Sequence, residues 1–336
     1  MAVPYSLLDL APILEGVSIQ QSYRNMVDLA QRAERWGFTR YWLAEHHAHP
    51  GVASAATVVL IAHVLEHTKT MRVGSGGIML PNHAPLIVAE QFGTLETLYP
   101  GRVDLGLGRA PGTDQRTAAA IRRHMVGGHD NFPQDVMELL HYFGPPPPDV
   151  DPDSIYVRAM PGEGLGVPLY ILGSSLYGAE LAAILGLPFA FASHFAPEQL
   201  IPAMAIYRNK YRPSATNPKP HAIATVNVIA ADDRAEAHYH FTSLQQHFLN
   251  IGRGRPQPLE RPVDDITQHA SPADLAQLKT KLGGTIVGDR ADLTTGLAEF
   301  RARSQADELL LTALIHDHEA RCRSFEIASE VVRALP

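Results

Sequence analysis

The sequence predicts an α/β fold, a (β/α)8 barrel in one domain over 1–336, and three observations carry that prediction. Short apolar runs recur along the chain with helical patterns between them. Most of the runs lack polar alternation, as expected of parallel strands covered on both faces. Their carboxyl ends collect polar residues and glycines, which is where barrel enzymes build their sites. At 336 residues the chain exceeds the ~250 of a typical barrel, leaving room for insertions.

Eight strands are expected: Val3–Leu10, Arg40–Ala44, Met71–Leu80, Val103–Gly108, Leu169–Gly173, Pro188–Ser193, Ala222–Ala230 and Glu308–Leu314. The best-defined helix is Ile19–Trp36. Ser18 with Gln21 forms a capping box, Tyr23, Met26, Val27, Ala30, Ala33 and Trp36 make one apolar stripe, and Gly37 ends it. A last helix, Glu319–Leu335, closes the ring.

Two stretches interrupt the alternation, as insertions after strands four and seven. The first, Pro111–Pro168, contains a helical pattern at Asp130–Phe143 and then four consecutive prolines, Pro145 to Pro148, which read as a stiff connector. The second, Gly252–Asp289, is rich in Pro, Arg and Gly, with one helix expected at Pro272–Lys281. Long segments of this kind are commonly functional, and 252–289 is expected to be a mobile lid.

Composition excludes several classes. The net charge is −7 with no basic run, which argues against nucleic acid as a partner. One cysteine, Cys322, precludes an intrachain disulfide and suits a reducing, cytoplasmic setting. The N-terminus lacks the basic start of a signal peptide, and no apolar run reaches the ~18 residues of a membrane span.

The strand ends name the candidate site. They are Asp9, Glu45-His46-His47, Ser75-Gly76-Gly77, Arg109, Ser174-Ser175, His194 and His316-Asp317. Strand five runs from Tyr170-Ile171-Leu172-Gly173 into Ser174-Ser175 and a helical start. Hydroxyls and free N–H groups there suit a phosphate, to which Arg109 one strand away adds charge; simple helix capping is the competing use of the serines. His46 and His194 are candidates for acid–base or hydrogen-bonding roles beside a ligand. Gly106-x-Gly108-x-x-x-Gly112 has the wrong spacing for a dinucleotide fingerprint. A metal-dependent hydrolase is a second reading, with His47, His49, His194 and Asp317 as ligands. It leaves Gly76-Gly77 and Arg109 without a role.

Taken in order, Trp42-Leu43-Ala44-Glu45-His46-His47, Gly74 to Pro81, Gly106-Leu107-Gly108-Arg109 and Gly173-Ser174-Ser175 resemble the bacterial luciferase-like, flavin-dependent monooxygenase superfamily. The resemblance continues through Glu180 to Pro188 and, more weakly, Ala306 to Leu309. It implies a barrel that takes reduced FMN from a separate flavin reductase, uses O2 on a small organic substrate, and forms a homodimer. His46 falls on the histidine that assists the oxygen chemistry, and Gly76-Gly77 on a non-prolyl cis peptide beneath the flavin ring. Arg109 falls on the phosphate-binding arginine, with Ser174 and Ser175 on the phosphate loop. Gly108 and His194 stand where luciferase has a cysteine and a tryptophan, so neither light emission nor long-chain aldehyde specificity is implied. Some members use the deazaflavin F420, but Gly173–Glu180 holds no Lys or Arg for its polyanionic tail, which favours FMN.

Overall fold

The computed structural model describes residues 3–122, 131–146 and 157–335. Eight parallel strands close into a barrel: β1 (Tyr5–Asp9), β2 (Arg40–Leu43), β3 (Arg72–Met79), β4 (Val103–Gly108), β5 (Leu169–Gly173), β6 (Phe189–Phe191), β7 (Ala222–Ala230) and a last strand, β9 (Glu308–Thr312). β1 pairs with β2 and β9, and β6 with β7, which completes the ring. All eight expected strands form. A ninth, β8 (Ile286–Gly288), lies outside the ring and pairs in parallel with the upper end of β7, Val228–Ala230. It falls within the stretch read as lid.

The helices before and after the strands follow the apolar stripes. α1 (Ile19–Arg35) buries Met26, Leu29, Ala30 and Ala33, and Ser18 caps it by accepting from the Gln21 amide. α2 (Thr57–His67), α3 (Pro85–Leu98), α4 (Gln115–Ile121), α5 (Phe132–Phe143), α6 (Leu176–Leu185), α7 (Leu200–Lys210) and α8 (Arg234–Gly252) follow in turn. The expected helix at 130–143 is α5; Asp130 and Pro147 to Asp149 lie outside the described residues. The stretch after α8 holds α9 (Pro272–Leu282), capped by Ser271 and Asp274 acting reciprocally. α10 (Arg290–Ser304) and α11 (His318–Ala334) complete the chain. Among the described residues no helix is long and apolar enough to cross a membrane.

Because side chains alternate along a strand, one parity faces the barrel interior. Leu8, Trp42, Ala44, Tyr170, Ala190, Ile223 and Leu310 form an apolar cluster separate from the main core, with Leu10 and Leu172 against it. Below them an ionic layer closes the amino end. Arg40 donates to Glu308 through Nε at 2.7 Å and to Asp104 and Tyr170 through Nη1 at 2.8 Å. Arg72 reaches Asp104 from the other side at 2.8 Å, and His221 meets Glu308 at 3.0 Å.

Candidate functional site

At the carboxyl end the barrel opens into a cavity of about 1370 Å³. Ligand pockets typically span ~300–1,000 Å³, so this one has room for a large cofactor and a second molecule. Its floor comes from small inward residues, Ala44, Gly76, Gly108, Ala192, Thr225 and Thr312. Every site residue of the sequence reading that belongs to the flavin pattern lines it: His46, Gly76, Gly77, Arg109, Ser174, Ser175 and His194.

The Gly76–Gly77 peptide is cis, at a point where the β3–β4 register shifts between Ser75 and Ile78. Neither position admits a side chain. A Cβ on Gly76 would meet Leu8 Cδ1 at 2.7 Å, and one on Gly77 the Gly106 carbonyl at 2.6 Å.

His46 follows β2 and is fixed by its Nδ1, 3.1 Å from the Gly112 carbonyl oxygen. That oxygen can only accept, so Nδ1 carries the proton and Nε2 keeps its lone pair. Burial lowers its pKa, and the hydrogen bond to Gly112 opposes that shift only in part; the imidazole is neutral and basic at Nε2. Gly112, in the left-handed region at φ 65°, turns its carbonyl to this task. His194 lies after β6. Burial drives its pKa down to about 3, and its Nδ1 is buried without a hydrogen-bond partner, an orphaned donor or acceptor that a ligand can satisfy.

Ser175 is the N-cap residue of α6, yet its side chain makes no capping bond. Simple capping therefore does not account for Gly173-Ser174-Ser175, and Ser174, Ser175, Tyr177 and Gly178 at the start of α6 line the cavity edge. The Arg109 guanidinium lies 4.3 Å from the ring centre of Tyr177, in the first turn of α6. Cation, hydroxyls and helix N-terminus thus converge on one edge, a combination that favours an anion.

The remaining strand-end residues do not join the site. Asp9 is buried behind β1, accepting from Arg321 at 2.7 Å, from Tyr41 and from the Ala11 amide. Arg321 and those hydrogen bonds hold its pKa low against the opposing effect of burial. Ser75 Oγ bridges to the Gly106 backbone, and Asp317 caps α11. Glu45 is a buried hub that meets His47 Nε2 at 2.7 Å, His83 Nε2 at 2.9 Å and the Met79 amide at 3.0 Å. With His47 turned to Glu45 and Asp317 at its helix, the four ligands of the metal reading do not converge. Among the described residues, the groups able to hold a metal are others: Glu45, His47 and His83, and Asp28, His318 and Cys322.

Several lining residues escaped the sequence reading, His247, Asn227 and Arg122 among them. His247 on α8 stands 5.8 Å from His49, itself 6.3 Å from His46, ring centre to ring centre. Burial lowers His247 to about 4. Asn227 donates to the His194 carbonyl at 2.7 Å. Arg122 donates through Nε to Asn82 at 3.1 Å, and its Nη2 is buried without a partner. Only the parity of β7 signalled Asn227, while a helical His or Arg carries no local mark of its position.

A closed parallel barrel with a cofactor-sized cavity at its carboxyl end, lined by His46, His194 and His247, whose pKa values burial lowers, and edged by Arg109, Ser174 and Ser175, defines a (β/α)8 enzyme. The chain belongs to the luciferase-like monooxygenase family, whose model matches residues 6–307, and is an oxidoreductase. It is 50% identical over 333 residues to a luciferase-like monooxygenase of Escherichia coli K12, covering 99% of this chain and 98% of that one. The solved structure of apo-MsnO8 superposes with a TM-score of 0.85 at 31% identity, covering 99% of both chains. The FMN complex of the oxygenating constituent of 3,6-diketocamphane monooxygenase from Pseudomonas putida shares the fold, with TM-score 0.70 and 17% identity over 100% of this chain and 99% of that one. An F420-dependent secondary alcohol dehydrogenase shares it too, at TM-score 0.68 and 17% identity over 99% of each. The oxygenase component of a flavin-dependent trigonelline monooxygenase of Acinetobacter baylyi matches 35% of this chain and 37% of its own at 30% identity.

Proposed function

We propose that this chain is the oxygenase of a two-component system, using reduced FMN from a separate reductase and O2 to oxygenate a small organic substrate. The observation that carries the reading is the anion cradle of Arg109, Ser174, Ser175 and the uncapped start of α6 on the same cavity as Gly76–Gly77 and His46. FMN has one phosphate for that cradle and a flat ring for the side-chain-free Gly76–Gly77 floor. The trigonelline enzyme's designation as an oxygenase component supports a reductase partner. The complex of the camphane enzyme supports FMN.

Bound reduced FMN would supply the electrons that activate O2, one oxygen atom going to substrate and the other to water. The protein's own part is binding, positioning and proton handling. Arg109 and the serine loop hold the phosphate, the buried Arg122 Nη2 offers a second cation, and His46 Nε2 accepts a proton beside the ring. α9 contributes Asp274, Gln277, Leu278 and Lys281 to the cavity wall and is the lid that excludes water during turnover. The lid is hinged beyond Leu259, which is buried and tied to Ile13 and Glu15 by backbone hydrogen bonds of 2.8 and 2.9 Å. The absence of Lys and Arg from 173–180 favours FMN over F420.

Arg109→Ala tests the cradle. A charge-assisted hydrogen bond contributes ~1.5–3 kcal/mol, so FMN binding weakens about 10–100-fold while riboflavin binding barely changes. Equal loss for both ligands removes Arg109 from the phosphate.

A further inference from the structure

Away from the cavity, on the outer wall where the first and last helices meet, Asp28 of α1 faces His318 and Cys322 of α11. His318 and Cys322 are four residues apart and share one helix face. His318 Nε2 lies 2.8 Å from Asp28 Oδ2, and Cys322 Sγ lies 3.6 Å from His318 Nε2 and 3.9 Å from Asp28 Oδ2. Tetrahedral zinc, with ~2.3 Å to sulfur and ~2.0–2.2 Å to nitrogen and oxygen, sets donor–donor edges of roughly 3.3–3.6 Å. The Cys322–His318 edge already fits, the Cys322–Asp28 edge must close by roughly 0.3 Å and the His318–Asp28 edge open by roughly 0.5 Å, within side-chain reach.

We propose that Asp28, His318 and Cys322 form a zinc site that clips α1 to α11, with water as fourth ligand. The donor set is a thiol, an imidazole and a carboxylate, the borderline-soft mixture zinc prefers. On binding, the thiol proton leaves to solvent, the proton that His318 Nε2 shares with Asp28 is exchanged through solvent for one on Nδ1, and thiolate and carboxylate balance the ion's two charges. Arg32, which now pairs with Asp28 Oδ2 at 2.9 Å, keeps Glu319, held through two bonds of 2.8 and 2.9 Å. Asp28 and His318 are partly exposed and give the ion its entry. The clip joins the helices that follow the first strand and the last, so its expected effect is on barrel stability.

The other group, Glu45, His47 and His83, is less suited. It offers no thiolate, and its one carboxylate also accepts from the Met79 amide.

Metal-stripped full-length protein titrated with zinc should bind one ion per chain, release about one thiol proton and melt at higher temperature. Cobalt in place of zinc should give a thiolate-to-metal charge-transfer absorption. Cys322→Ser and His318→Ala should each weaken binding by at least the ~10–100-fold that loss of even a supporting partner costs. No stoichiometric binding by the wild type, a cobalt spectrum without the thiolate band, or binding that survives Cys322→Ser but is lost in His83→Ala would each overturn the proposal.

Discussion

At the amino ends of the strands, interior positions hold Arg40, Asp104 and Glu308, locked by hydrogen bonds of 2.7–2.8 Å. At the carboxyl ends, positions of the same parity hold Ala44, Gly76, Gly108 and Thr312, and the barrel is open. From Arg40 at the start of β2, through Trp42 and Ala44, His46 lies six positions along the chain. The lower end is filled with charge that is fully paired, and the upper end with small groups and neutral histidines, one of them unpaired. Stability is concentrated where every buried polar group has a partner. Binding capacity lies where space and unsatisfied groups remain, as barrel enzymes generally arrange them.

Substitutions at the two ends should separate these roles. Arg40→Met leaves buried Glu308 without its arginine and Asp104 with Arg72 alone, and should cost about 3–5 kcal/mol, read as a lower urea midpoint. Arg109→Ala at the mouth should change stability by no more than ~0.5 kcal/mol; similar losses at both ends would break the division. His46→Ala should reduce substrate oxygenation by ~10²–10⁴-fold while reduced-FMN affinity, measured by anaerobic titration, stays within a few-fold. Parallel loss of both would make His46 a binding residue.

Acid should reach the mouth before the floor. His194, pushed down by burial to about 3, is neutral in the folded state and charges readily when unfolded. Its contribution is therefore fully present above its unfolded value of ~6.5 and is lost as pH falls toward 3. Burial raises the Glu308 pKa, but the His221 hydrogen bond and the Arg40 charge outweigh it and hold the group at about 2. That stability is present above ~4.5 and is lost as pH falls toward 2. Between pH 6.5 and 5, His194→Phe should flatten the decline in unfolding free energy, measured by urea titration. An unchanged slope would mean that His194 is not held neutral.

The barrel strands were legible because parallel strands buried on both faces leave apolar runs that few other elements produce. The flavin-pattern residues were legible because each follows such a run directly. Asp9 shows the limit of that rule. It ends β1, but its parity is odd while the interior residues Leu8 and Leu10 are even, so its carboxylate points to α11 rather than the cavity. The same parity test would have withdrawn Ser75 and retained Gly76. β8 was missed because three residues give no period, and its pairing with β7 depends on a turn formed far along the chain. His247 reaches the cavity from a helix and Arg122 from the residue that ends one, where position around the axis depends on tertiary packing.

The most direct test is an anaerobic titration of the purified protein with reduced FMN, with F420 as the comparison ligand. The account predicts saturable micromolar binding of reduced FMN and none of F420. Tight F420 binding without FMN binding would contradict it and make the chain a deazaflavin hydride-transfer enzyme.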